Sequence, residues 1–148
     1  RNIRAAVILA VDAQDHVLLV EQYRVPLGKY CIELPAGLIG DQAEFDGEDP
    51  LAAAGRELEE ETGYRAAVLE DLGCFWSSPG MVSESFTLVR ASQLAKVGEG
   101  GGVGGENITV HRVALSDIAA FTAAKRADGC GIDVRVLLLL GQGILAGE

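Results

Sequence analysis

The chain has 148 residues, 49% of them apolar, enough for a single domain with a proper core over residues 1–148. Its formal charge of −10 argues against non-specific contact with nucleic acid or an anionic membrane, both of which attract basic surfaces. No apolar run is long enough to span a bilayer, and residues 136–140 fall far short.

Residues 3–11, rich in Ala, Val, Ile and Leu, are predicted as a buried strand. A polar turn at 12–15 and a second strand at 16–22 make a hairpin the natural expectation. His16, beside that turn, reads as a solvated side chain. Tyr23 and Arg24 lead into a loop carrying Pro26, Gly28 and Lys29, and residues 31–34 form a further short strand. An Arg at the end of a core strand is well placed to grip a phosphate with its planar fork.

Asp49 is a good N-cap and Pro50 suits the first helical position, so residues 51–62 are predicted as a helix that Gly63 terminates. Leu51, Ala54 and Leu58 follow i, i+3, i+7 and form its buried stripe. Glu57, Glu60 and Glu61 stand at i, i+3, i+4, so three carboxylates share another face. Like charges at these spacings cost roughly 0.2–0.5 kcal/mol per pair, a penalty that a hard divalent cation removes. A Glu-rich helix face is ordinarily just solvated. Here Pro35-Ala36-Gly37 can bring backbone carbonyls to the helix, and Arg56 can orient a carboxylate.

Beyond the helix, residues 66–69, 73–76 and 85–90 are strand candidates, with a turn at 77–80. Phe75 and Trp76 read as core. Residues 98–105 hold six glycines in eight positions. Glycine loses the most backbone entropy on ordering, so this segment is expected to be a flexible loop, or a mobile one that closes over a ligand. A strand at 108–111 follows, then a helix at 117–125 capped by Ser116, a turn at 128–131 and a helix at 133–145 with a broad apolar face. The three cysteines, Cys31, Cys74 and Cys130, have neither zinc spacing nor a disulfide framework. They read as small buried hydrophobes in a reducing, cytoplasmic setting. Strands, helix, strands, then helices indicate an α+β (α/β/α sandwich) architecture with a mixed sheet between helices.

The run Arg56-Glu57-Leu58-Glu59-Glu60-Glu61-Thr62-Gly63-Tyr64, seven residues after Glu48, resembles the second half of the Nudix hydrolase signature at every fixed position. Upstream, ten residues separate Gly37 from Glu48 where that signature has five, which reads as an insertion around residues 40–45. Glu21-Gln22-Tyr23-Arg24 followed by Glu33-Leu34-Pro35-Ala36-Gly37 resembles the ADP-ribose pyrophosphatase branch. So do Ser78-Pro79-Gly80 before Glu84, and Glu106 before Asn-Ile-Thr-Val-His. The resemblance implies the Nudix fold and hydrolysis of a small-molecule nucleoside diphosphate derivative, with ADP-ribose giving AMP and ribose 5-phosphate. It implies Mg²⁺ or Mn²⁺ held by Glu57, Glu60, Glu61 and the Ala36 carbonyl. It further implies substrate contacts from Arg24, Glu84 and Gly37, and catalytic work by Glu60, Arg56 and Glu106, the last preferred to Glu99 as general base. Rival readings are another Nudix substrate, such as a different nucleotide sugar, NADH or a nucleoside triphosphate, and a nucleotide-sugar sensor that does not cleave its ligand. Many enzymes of the branch are dimers whose extra N-terminal strands help bind adenine. The sequence starts at Arg1, close to the family core, so either those strands are absent from it or the adenine site is built differently; a homodimer is expected from the resemblance alone, and a targeting peptide stays open.

Overall fold

A computed structural model describes residues 4–40 and 47–148. Its strands are β1 (Arg4–Ala10), β2 (His16–Arg24), β3 (Lys29–Glu33), β4 (Ala36–Leu38), β5 (Tyr64–Trp76), β6 (Ser85–Lys96), β7 (Thr109–Ala114) and β8 (Gly131–Ile132). Its helices are α1 (Pro50–Thr62), α2 (Ile118–Ala127) and α3 (Leu137–Leu145). The strands form two four-stranded sheets, β4-β1-β6-β5 and β7-β2-β3-β8. Each is mixed, because β1 runs parallel to β6 and β3 parallel to β8. The expected α+β architecture is present, with two sheets where one was expected.

Strand alternation divides the core. Ala6, Ile8, Ala10 and Leu18 pack with Ala53, Ala54 and Leu58 of α1. Val7, Val17 and Leu19 point the other way and join Ile32, Leu34 and Ile118, with Phe121 of α2 and Leu139 and Leu140 of α3 against them. The β layers therefore lie between α1 on one side and α2 and α3 on the other. The expected hairpin of the first two strands does not form. Val11 and Val17 form an isolated bridge across the turn, where the Asp12 amide also donates to the His16 carbonyl (2.9 Å), and β1 then joins one sheet and β2 the other. Each strand is apolar on both faces and gains two neighbours this way.

Several boundaries move. The two strands expected at 66–69 and 73–76 are one long β5, kinked between Asp71 and Cys74, where Gly73 takes φ +113°. As an edge strand, β5 leaves Cys74, Phe75 and Trp76 exposed; neither aromatic is core, and Cys74 is not a buried hydrophobe. Cys31 is buried, as expected, whereas Cys130 is only half-buried. The turn at 128–131 ends in strand β8, and Asp117 rather than Ser116 occupies the N-cap of α2. The last helix starts at Leu137, after a 3₁₀ turn (Val134–Val136) whose Arg135 amide donates to the Asp133 carboxylate. The insertion read at 40–45 lies, apart from Gly40, outside the described residues.

Candidate active site

Helix α1 follows its sequence closely. Asp49 takes an extended N-cap conformation, and Gly63 ends the helix at φ +77°, its amide donating to the Glu59 carbonyl. Burying Ala53, Ala54 and Leu58 turns the acidic face toward the β4 segment. Gly37 in β4 lies so close that a Cβ there would collide with the Glu57 side chain. Only glycine lets the two elements meet.

A cavity of about 690 Å³ opens there. Arg24, Ala36, Gly37, Arg56, Glu57, Glu60, Glu61, Glu84 and Glu106 all line it, so every predicted site residue comes to one place. Glu99 is exposed and is not among the residues lining the cavity. Seven carboxylates face three guanidinium groups around this space. That imbalance repels an anionic ligand unless positive charge is added.

Arg56 is largely buried among acids. Its Nε and Nη2 donate to Glu48 (3.2 and 3.0 Å), its Nη1 donates to Glu57 Oε1 (3.0 Å), and Glu60 lies 3.6 Å away. Glu48 foremost, and then Glu57 and Glu60, hold its guanidinium above the usual arginine range. Burial pushes the Glu57 carboxyl up to about 7, Arg56 opposing the shift and Glu60 adding to it. Burial likewise pushes Glu61 up to about 8. The Ala36 amide, which donates to Glu61 Oε2 at 3.1 Å, opposes that rise, while the charges of Glu57, Glu106 and Glu33 increase it.

Three further charged residues line the cavity without having been predicted there. Glu33, 8% exposed, takes a bidentate bond from Arg24, both contacts 2.7 Å. Its signal was in the sequence: a lone acid in an apolar strand needs a cation partner. Arg24 is thus anchored by a carboxylate, with 45% of its side chain still exposed. Asp133 and Arg135 come from the turn before α3, a stretch expected to be the start of an apolar-faced helix. Arg135 donates to Asp133 (3.1 Å) and reaches Glu84 (3.4 Å), with its guanidinium 4.7 Å from the Phe86 ring centre. Its Nε is a buried polar atom without a hydrogen-bond partner among the described residues.

The glycine-rich segment is docked. Gly101 and Gly102 amides donate to the Glu61 and Glu60 carbonyls (2.8 and 3.0 Å), and Val97 and Gly98 amides donate to the Gly63 carbonyl (2.8 and 3.1 Å). A helix end leaves its last carbonyls without intrahelical donors, and these amides supply them. The expectation of a freely flexible loop is corrected on that ground. Glu106 then folds back, its Oε1 accepting from the Val103 amide (2.9 Å).

The site suits a hard divalent cation in chemistry: its donors are oxygens, and two of its carboxylates are buried with too little positive charge. Among the described residues no three His, Cys, Asp or Glu side chains are already gathered to hold a metal ion. Glu57 instead leans on Arg56 and Glu61 on the Ala36 amide.

The NUDIX domain family model matches residues 1–129, and the chain belongs to that family. It is 42% identical over 96 residues to the methanol dehydrogenase activator of Bacillus methanolicus, covering 65% of this chain and 49% of that one. It is 38% identical over 95 residues to the ADP-ribose pyrophosphatase of Bacillus subtilis (strain 168), covering 64% and 49%. The alignments thus span about half the length of these curated relatives. A crystal structure of an ADP compounds hydrolase superposes with a TM-score of 0.72 at 25% identity, covering 99% of this chain and 75% of that one.

Proposed function

We propose that this chain, as a single domain over residues 1–148, hydrolyses the phosphoanhydride bond of an ADP-linked small molecule, with ADP-ribose as the preferred substrate. Water adds across the diphosphate, giving AMP and ribose 5-phosphate. The observation that carries this reading is the buried, under-compensated pair Glu57 and Glu61 facing Arg24 and Glu106 across one cavity. Glu57, Glu60, Glu61 and the Ala36 carbonyl are the groups that would hold Mg²⁺ or Mn²⁺. Bound there, the metal would neutralise the diphosphate and acidify water. Arg56 keeps Glu57 oriented. Arg24, steadied by Glu33, grips phosphate oxygens with its exposed edge, Gly37 brings its backbone to the substrate beside Glu57, and Glu84 holds the substrate's far side. Glu106 takes the proton from the attacking water. The relatives' names, ADP-ribose pyrophosphatase and ADP compounds hydrolase, support the substrate class.

The reading extends to a homodimer in a reducing cytoplasm acting on a small molecule, not on nucleic acid or membrane. Three free thiols, the charge of −10, and the exposed Phe75, Trp76 and Met81 support it. Among the described residues no helix is long and apolar enough to cross a membrane. The deciding experiment is AMP release from ADP-ribose with Mg²⁺, beside NADH, ADP-glucose, GDP-mannose and nucleoside triphosphates. Preference for ADP-ribose is expected. Cleavage of another member would replace the substrate, and tight binding without cleavage would make the chain a sensor.

A further inference from the structure

The glycine-rich segment carries more than chain reversal. It leaves β6, runs across the end of α1 and delivers Glu106 to the cavity. Its amides donate to backbone carbonyls at the end of α1, and two of these belong to the acidic residues Glu60 and Glu61. The Gly102 amide caps the Glu60 carbonyl and the Gly101 amide caps the Glu61 carbonyl. The Ile108 amide closes the segment by donating to the Gly101 carbonyl (3.1 Å). Such close approach requires bare backbone on both sides. A Cβ on Gly63 would collide with the Gly98 carbonyl, and one on Gly100 would lie 2.5 Å from the Thr62 carbonyl carbon and 2.6 Å from the Glu61 oxygen. Gly100 and Gly101 also have φ of +71° and +96°, a region that side chains disfavour.

We infer that Gly63 and Gly100 form a backbone latch that sets the position of Glu106 against Glu60 and Glu61, making Gly100 a positioning residue for the hydrolysis. The inference rests on the proposed role of Glu106. Its physical basis is register. The same peptide units that carry Glu60 and Glu61 anchor the segment carrying Glu106, so the groups that hold the substrate's charge and the group that takes the proton are fixed to one helix turn. Catalytic proton transfer demands placement to within a fraction of an ångström, and a loop tied only at its ends does not provide it.

The test is Gly100→Ala beside Gly98→Ala, an internal control whose added Cβ meets nothing within 4 Å. Expected for Gly100→Ala is a loss in kcat of roughly tenfold to a hundredfold, no more than the roughly 10²–10⁴-fold that general-base catalysis supplies, because the base is displaced and not removed. KM and the Kd for Mn²⁺ should stay within twofold, and Gly98→Ala should match the parent chain. A merely structural role would lower thermal stability and kcat alike in proportion to unfolded protein, so activity is read per folded molecule after circular dichroism. The double variant Gly100→Ala/Glu106→Gln should be no slower than Glu106→Gln alone, because an absent base cannot be misplaced. If Glu106→Gln is slow while Gly100→Ala turns over at the parent rate, the latch is wrong and the base assignment stands. If Glu106→Gln itself keeps full turnover, the proposed role of Glu106 fails first. Multiplying losses in the double variant would also overturn the latch.

Discussion

The acids around the cavity fall into an inner and an outer set. Glu57 and Glu61 belong to the inner set: both lie on α1, their carboxyls rise to about 7 and 8, and Glu61 is only 4% exposed. Glu84 and Glu106 form the outer set, reached by connections between strands and open to solvent. The inner pair is held by one arginine and one backbone amide. Burying charge with so little compensation destabilises a fold, so a carboxylate pair kept this way answers to a ligand rather than to stability. The outer acids cost little to keep and are free to serve positioning or proton transfer.

Removing an inner carboxylate is the sharpest way to break the contrast. Glu61→Gln keeps an acceptor for the Ala36 amide and removes the charge. The chain is expected to fold, with Tm in EDTA equal to or above the parent value, while Mn²⁺ affinity and kcat/KM fall at least a hundredfold, about 2.7 kcal/mol. Turnover at the parent rate would remove Glu61 from the metal assignment. An outer substitution should separate these readouts. Glu106→Gln is expected to lower kcat about a hundredfold with Mn²⁺ titrating as before. Glu99→Gln, on an exposed residue, should change neither. The reverse pattern would transfer the role of base to Glu99.

How much of this was legible depended on sequence distance. The inner pair is written in one helix at i and i+4, and its N-cap position and glycine stop appear where the sequence puts them, although Asp49 makes no side-chain capping bond and Leu51 of the expected stripe is only half-buried. Fixed local geometry makes such spacing readable. The hairpin of the first strands failed because an apolar run does not say which neighbour it pairs with. Phe75 and Trp76 failed because an edge strand can run beyond the core. Arg135 was invisible for a different reason: only the pairing of β8 with β3 brings residue 135 to the cavity, 51 positions from Glu84. The glycine segment was misread because its amides find their acceptors on a helix that precedes them by some forty positions.

That late-found arginine offers a smaller test of the outer set. Arg135 meets Glu84 through a long 3.4 Å contact and rests on Phe86. Arg135→Ala should release Glu84 and raise KM several-fold with kcat within twofold, the signature of binding lost equally from ground and transition states. Arg135→Lys keeps the charge but not the fork, so it should recover only part of the KM. A fall in kcat at constant KM would instead place Arg135 with the inner, chemical set.

The smallest expected effect is in stability, and its sign separates the two sets most cleanly. For Glu57 and Glu61 the folded chain holds protons more tightly than the ordinary value of 4.5. Below that value both folded and unfolded forms are protonated and the contribution to stability is fully present. As pH rises, the unfolded chain releases these protons first, and stability is lost progressively until the folded carboxyls ionise near 7 and 8. The Tm of the metal-free protein in EDTA should therefore fall between pH 5 and pH 8. Saturating Mg²⁺ at pH 8 should reverse the fall, since a cation that binds only the folded form stabilises it. Glu61→Gln should flatten the slope, and Glu106→Gln should leave most of it. A metal-free Tm that does not fall from pH 5 to pH 8 would mean that the inner carboxylates are ordinary acids, already ionised in both the folded and the unfolded chain, and the contrast between the two sets would disappear.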